Sequence, residues 1–120
     1  MKKIIFLFFF LPILCFGQLN KNARAIYDND KELFNSIKYY ANEIYPGDGK
    51  SQDSEINLQC KAYIDLTQIA FDVELYHRAV EKNVMFIALF RNMVSNGEIL
   101  KAYKTPINWV RVLDYYRDND

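Results

Sequence analysis

The sequence holds one histidine, and the residues around it have the spacing of a metal-binding helix. Glu74 and His77 form a Glu-x-x-His motif, and Glu81 follows four residues after the histidine. On a helix these three side chains share one face, and bundles that hold two metal ions use this spacing to direct a carboxylate and an imidazole at one site. Such a site needs two copies of the motif, which a single histidine supplies only in a homodimer. We therefore expect a solvated polar face and predict no metal or other cofactor.

Residues 47–51 end in Gly-Lys-Ser, as a phosphate-binding loop does, but the rest of that pattern is missing. The loop requires a further glycine five positions before Gly49, where this chain has Ile44. It also requires a preceding strand, whereas apolar residues at helical spacing precede this segment. The sequence predicts a flexible turn between two helices.

Cys60 and His77 would supply thiol chemistry only if the fold brought them together. They are seventeen residues apart in the sequence. Within one continuous helix that separation is about 25 Å. A nucleophile also needs an adjacent base and an orienting group, and no such set or pair of carboxylates stands out. We predict no catalytic residues and a protein that is not an enzyme.

The first seventeen residues are typical of a secretory signal peptide. Two lysines follow Met1, residues 4–16 form an apolar run interrupted by one proline, and Gly17 precedes Gln18. The apolar run is shorter than the roughly twenty residues that a membrane-spanning helix needs. An uncleaved anchor and lipidation of Cys15 are the alternatives. We expect export to the periplasm or the cell exterior.

Cleavage would leave a chain of residues 18–120, long enough for a single domain with a modest core. It carries thirteen basic and fifteen acidic residues, a net charge of −2, without a basic cluster. This composition argues against nucleic acid and against a polybasic membrane patch, and we expect no stable membrane insertion after cleavage. Cys60 would be the only cysteine, so packing, a partner or self-association must stabilise the domain. We expect Cys60 to be buried, with an intermolecular disulfide as the alternative.

Residues 51–96 contain neither proline nor glycine and carry two interleaved apolar rows. One row recurs every seven residues: Leu66, Val73, Val80, Ile87 and Val94. The other lies three or four residues out of step: Ala62, Ile69, Tyr76, Asn83 and Phe90. The pattern predicts helix, with a break near residues 77–83 and Asn83 as a new cap, because one straight helix would be about 66 Å long. Residues 84–90 are apolar on every side and predict a buried central helix, or else a buried strand.

The remaining elements follow from local signals. A first helix is predicted from residues 20–24 to Tyr45, with a fresh start near Asp30 as the alternative. Pro46 and two glycines predict a turn, after which Ser51 or Asp53 would cap the next helix.

Towards the C-terminus, Asn96 and Gly97 predict a helix end, followed by a connection or a short helical turn over residues 98–104. Thr105 and Pro106 predict the start of a last helix. Its inward face would consist of Trp109, Val112, Leu113 and Tyr116, and its outward face of Arg111, Asp114, Arg117 and Asp118.

Nine tyrosines, all in the predicted mature chain, are the one unusual feature of the composition. In the adjacent pairs Tyr39-Tyr40 and Tyr115-Tyr116, one ring can face inward while the other lies at the rim. Tyrosines in such places either fill the edge of a small core or form a protein interface.

Taken together, the sequence predicts an all-α protein, a small bundle of three or four helices. We expect a non-catalytic module that binds another protein, as an inhibitor, an immunity-type protein or an accessory subunit does, or that binds a second copy of itself. The alternatives are a helical bundle that binds a small ligand or a metal, and a self-assembling structural protein. A polar cavity near His77 would favour the ligand, and an exposed tyrosine patch the protein partner.

Overall fold

The computed structural model describes residues 19–120, so the predicted signal peptide, residues 1–17, lies outside the described residues. Within this range the chain is all-helical, as predicted, but it has seven helices instead of three or four. They are α1 (Lys21–Asn29), α2 (Lys31–Ile44), α3 (Gly49–Ile69), α4 (Val73–Glu81), α5 (Ile87–Ser95), α6 (Ile99–Ala102) and α7 (Trp109–Asn119). The larger number arises because the chain breaks at places that carry no proline or glycine.

Asp30 divides the predicted first helix into α1 and α2. Its backbone N–H still donates to Ile26 at 2.8 Å, which ends α1. Its carboxylate accepts the N–H of Leu33 at 3.1 Å, which starts α2. Asp is favoured at such a position because its short side chain reaches an unpaired N–H of the first turn. The fresh start predicted at Asp30 is confirmed, and so is the start near Asn20, which caps α1.

The turn predicted after Tyr45 is confirmed, but its cap is a different residue. Gly47 has a φ of +72°, a value that suits glycine because it lacks a Cβ. Asp48 caps α3 by accepting the N–H of Ser51 at 3.1 Å. The predicted caps Ser51 and Asp53 both lie inside the helix, so that prediction is wrong.

The long stretch 51–96 breaks twice. One break, over residues 82–86, overlaps the end of the predicted range, residues 77–83. The other, over residues 70–72, was not predicted, and Asp72 caps the helix that follows by accepting the N–H of Leu75 at 3.0 Å. Asn83 does not cap a new helix as predicted, because its side chain donates to the carbonyl of Ala79 at 2.8 Å, at the end of α4.

Residues 83–85 lie beside residues 106–108. The N–H of Met85 donates to the carbonyl of Pro106 at 2.9 Å, and the N–H of Asn108 donates to the carbonyl of Asn83 at 2.9 Å. These bonds flank an isolated antiparallel bridge between Val84 and Ile107. Residues 86–105 therefore form a segment that starts at this bridge and returns to it. The segment contains α5 and α6, and we call it the arm.

Two predictions fail at the base of the arm. Residues 84–90 form neither a buried helix nor a buried strand, since α5 begins at Ile87 and only Phe90 of this segment is buried. Thr105 and Pro106 do not start the last helix, which begins at Trp109 with Asn108 as its cap. Thr105 is instead buried, and its hydroxyl donates to Ala102 at 2.7 Å.

The end of α5 and the short α6 agree with the prediction. Gly97 has a φ of +78°. The N–H of Glu98 donates to Met93 and the N–H of Gly97 donates to Val94, a pairing that satisfies the last carbonyls of a helix. The predicted connection over residues 98–104 contains the single turn α6.

The core lies between α3 and the helices packed against it, namely α1, α2 and α7, and α4 packs against α7. The predicted inward face of α7 is confirmed, because its four residues are buried and the four outward residues are exposed. Trp109 is fully buried, with its ring edge-to-face against Tyr63 at 4.9 Å between centroids. Within residues 19–120, no helix combines the length and apolarity needed to span a bilayer.

A buried polar side chain links α3 to the start of α7. Gln59 is buried, and its carbonyl oxygen accepts the backbone N–H of Trp109. Its amide nitrogen donates to Glu55 at 2.9 Å and to Asn108 at 3.0 Å. Each polar atom of the Gln59 side chain thus has a partner, as a buried amide requires.

Candidate interaction surfaces

Of Glu74, His77 and Glu81, the structure brings only His77 and Glu81 close together. The Nε2 atom of His77 lies 4.0 Å from a carboxylate oxygen of Glu81. Its Nδ1 atom lies 2.8 Å from the hydroxyl of Tyr103, in the arm. Glu74 is exposed in the first turn of α4. Among residues 19–120, no three side chains of the metal-ligating types are grouped closely enough to hold an ion.

The surroundings of His77 connect α4 to the arm. The ring of Phe90 lies 5.7 Å from the imidazole, and it stacks on Tyr103 at 6.0 Å. Burial raises the pKa of Tyr103, so its hydroxyl stays protonated. On the outer side, Glu81 lies 3.8 Å from Arg91 of α5. His77 thus contacts the arm through Tyr103 and Phe90, and its other ring nitrogen faces Glu81 of its own helix, which is a structural arrangement.

The segment that resembles a phosphate loop is a capped turn. The Asp48 carboxylate accepts the hydroxyl of Ser51 at 2.7 Å as well as its backbone N–H. These hydrogen bonds lower the pKa of Asp48, so a negative charge already occupies the helix terminus where a phosphate would bind.

Cys60 is fully buried, as predicted for a small apolar residue. Burial raises the pKa of its thiol to about 12. The thiolate is the form that reacts, so the structure gives this cysteine the properties of an inert core residue.

The tyrosines lie mostly at the edge of the core. Seven of the nine are buried or half-buried: Tyr27, Tyr40, Tyr63, Tyr76, Tyr103, Tyr115 and Tyr116. Tyr115 and Tyr116 divide between rim and core as predicted. Only Tyr39 and Tyr45 are exposed, so the tyrosines do not form the surface patch that would mark a partner.

The most exposed large apolar side chain of the described residues lies at the corner between α3 and α4. Phe71 is 85% exposed and Val73 is 76% exposed. We call residues 70–73 the α3–α4 corner. Sequence reasoning missed it, although Asp72 followed by Glu74 is the pattern of a helix start.

The α3–α4 corner is held by hydrogen bonds on both sides of Phe71. The N–H of Ala70 donates to Leu66 at 2.9 Å, and the N–H of Phe71 donates to Ile69 at 3.0 Å. The N–H of Asp72 donates to the hydroxyl oxygen of Tyr116 at 3.0 Å. Because Tyr116 is buried, this bond joins the corner directly to the core.

The arm also exposes large apolar side chains. Four of them are 40–43% exposed and one is 75% exposed: Phe86, Ile87, Leu89, Ile99 and Leu100. The ring centroid of Tyr39 in α2 lies 6.1 Å from that of Phe86. The sequence indicates that residues 84–90 are apolar, but the prediction that they are buried in the core is wrong.

A groove of about 480 Å³ lies between α1, α2 and α3. Its apolar lining comes from Leu19, Tyr27, Phe34 and Ile56, and Lys38 and Asp53 are among its polar lining residues. Burial raises the pKa of Asp53, although the charge of Lys38 opposes this. His77 is not among the lining residues.

With this geometry in hand, comparison of the chain with protein-family models, curated proteins and solved structures finds no match. The function must therefore be argued from these surfaces alone.

Proposed function

We propose that this protein is an exported, non-catalytic module that binds another protein through the α3–α4 corner, as an inhibitor, an immunity-type protein or an accessory subunit does. The observation that carries the proposal is the exposure of Phe71 on a turn whose backbone is hydrogen-bonded on both sides. Export rests on the predicted signal peptide.

The α3–α4 corner has the physical properties of an interface anchor. Burying one large apolar side chain stabilises a complex by roughly 1.5–3 kcal/mol. A turn already held in place loses little conformational entropy on binding, so more of that energy appears as affinity. Aromatic anchors that fill a partner's pocket account for much of the affinity of many protein complexes.

The charges beside Phe71 define the chemistry of the partner. Asp72 and Glu74 follow Phe71 closely in the sequence, and both are exposed and acidic. A basic partner residue would gain from them, and an acidic one would be repelled. The corner therefore fits an apolar pocket with a basic rim.

The test compares Phe71→Ala with Leu58→Ala, a matched loss of an apolar side chain that is 56% exposed on α3. Each tagged mature protein is incubated with the native envelope and medium fractions, and bound proteins are quantified by mass spectrometry. Affinity for the purified partner is then measured by calorimetry.

We expect the native protein and Leu58→Ala to bind the same partner, and Phe71→Ala to lose at least tenfold in affinity. Affinity should also fall with rising salt, because the acidic residues contribute. Equal binding by the two variants, or a failure of the native protein to bind any protein, would overturn the proposal.

A second candidate function, binding of a small apolar ligand, is favoured by the groove between α1, α2 and α3. Its volume of about 480 Å³ is within the range of small-molecule sites, and its lining combines apolar side chains with Lys38 and Asp53. Native mass spectrometry of the protein from its own envelope tests this candidate, since a bound ligand adds mass to the mature chain.

A further inference from the structure

The cap of α4 lacks a partner for its own backbone N–H within its helix. Asp72 is that cap, and its carboxylate accepts the N–H of Leu75. In a capping box, a Glu or Gln side chain three residues after the cap accepts the N–H of the cap in return. Leu75 occupies this position, and its side chain has no acceptor atom. The N–H of Asp72 therefore needs an acceptor from another part of the fold.

The hydroxyl group of Tyr116 in α7 supplies this acceptor. Tyr116 is only 1% exposed, and its hydroxyl oxygen accepts the N–H of Asp72 at 3.0 Å. The two residues are 44 positions apart in the sequence, whereas the bonds from the N–H groups of Ala70 and Phe71 end within α3. Tyr116 thus joins the α3–α4 corner to a helix outside the corner.

Both peptide groups that flank Phe71 are hydrogen-bonded. The group before it donates its N–H to Ile69 at 3.0 Å, and Ala70 between them has a φ of −84° and a ψ of 76°, which is an inverse γ-turn. The group after it carries the N–H that Tyr116 binds. Because peptide groups are planar, these two groups together determine the backbone angles of Phe71 and the direction of its Cα–Cβ bond.

We infer that Tyr116 is a positioning residue of the α3–α4 corner, and that its buried hydroxyl fixes the direction in which Phe71 is presented to a partner. The hold on the corner depends on the hydrogen bond alone, whereas the effect on binding rests on the proposed function. A side chain already held in its bound direction loses less conformational entropy in the complex, so more of the binding energy appears as affinity.

The test removes single hydroxyl groups. Tyr116→Phe deletes the acceptor and keeps the buried ring. The matched control is Tyr103→Phe, which deletes a hydroxyl that lies 2.8 Å from the Nδ1 atom of His77 and belongs to the arm. Urea unfolding checks that both variants fold. Hydrogen exchange followed by NMR is then measured for the backbone amides of residues 70–73 and for those of α3 and α7.

We expect exchange at residues 71–73 to be about fivefold faster in Tyr116→Phe than in the native protein, the factor that one ordinary hydrogen bond contributes. In Tyr103→Phe these amides should exchange at the native rate. Native exchange at the corner of Tyr116→Phe, an equal increase in the control, or an increase spread evenly over α3, α7 and the corner would refute the inference.

The partner captured in the test of the proposed function gives a second readout. In calorimetry, Tyr116→Phe should bind about fivefold more weakly than the native protein. Combined with Phe71→Ala it should cause no further loss, because the hydroxyl acts through that ring, and a further loss would contradict the inference. If the native protein binds no protein, the proposed function fails, and the exchange rates alone decide whether Tyr116 positions the corner.

Discussion

Helices α4 and α5 have equal length and opposite relations between composition and burial. Each has nine residues. The less apolar α4 buries Leu75, Ala79 and Val80, while α5 buries only Phe90. The reason lies in their neighbours, since α4 packs along the eleven-residue α7, whereas the main neighbour of α5 is the single turn α6. A helix is buried only where neighbouring elements offer a surface to pack against, and an apolar composition does not by itself supply such neighbours.

The arm lies beside the core because of where it begins and ends. The bridge of Val84 and Ile107 fixes both of its ends next to α7. A segment tethered in this way cannot insert between α3 and α7, whose contact is already filled by Trp109 and Gln59. The comparison between core and arm can be tested by truncating one large apolar side chain in each.

The largest effect is expected for Trp109→Ala in the core. Loss of this fully buried ring removes its burial and its contact with Tyr63, and should lower the free energy of unfolding by about 3–5 kcal/mol. Leu100→Ala in the arm should change it by less than about 0.5 kcal/mol. Urea unfolding followed by circular dichroism measures both. Equal losses would show that the arm is part of the core.

An intermediate effect is expected for Gln59→Leu, which keeps the volume of the side chain but removes its polar atoms. The N–H of Trp109 then has no acceptor, and Glu55 and Asn108 lose a donor. We expect a loss of about 1–3 kcal/mol in the free energy of unfolding.

The control for this substitution is Gln68→Leu at an exposed position of α3, which should be nearly neutral. If Gln59→Leu were as mild as the control in the same urea experiment, the polar link between α3 and α7 would contribute nothing to stability.

The smallest effect, and the one that depends on pH, is expected for Asp30→Asn. Asp30 pairs with Lys104 at the end of the arm. Burial raises the pKa of Asp30, but the hydrogen bond and charge of Lys104 and the N–H of Leu33 together lower it below its ordinary value. Its stabilising effect is therefore complete above the unfolded pKa of about 4 and is lost as pH falls through the folded pKa.

Asn retains the helix cap, so Asp30→Asn removes only the ion pair and should cost about 0.5–1 kcal/mol at neutral pH. When the pH is lowered from 7 to 3, the melting temperature should fall less for the variant than for the native protein. Asp53→Asn serves as the control of opposite sign, because burial raises the pKa of Asp53 and its protonation in acid favours the folded state. Identical pH profiles for native protein and Asp30→Asn would contradict the role of the Lys104 pair.

Local signals in the sequence determined the helical class, the turn at Gly47, the end of α5 at Gly97, the fresh start at Asp30 and the inward face of α7. Each of these depends on a backbone group and a side chain a few residues apart, or on a periodicity within one helix. For these elements a single sequence contains the necessary information, whereas at Ser51, Asp53, Asn83 and Thr105 similar local signals predicted caps that the structure does not have.

Tertiary structure alone decided which apolar residues of the long stretch 51–96 are buried. Leu66, Val73, Val80 and Ile87 belong to one seven-residue row, yet Leu66 and Val80 are buried while Val73 and Ile87 are exposed. The row loses its common face because the chain breaks at residues 70–72 and 82–86. The exposure of Phe71 and of the arm follows from these breaks and from the pairing of residues 83–85 with residues 106–108. Burial depends on which distant segments meet, and no local spacing specifies that.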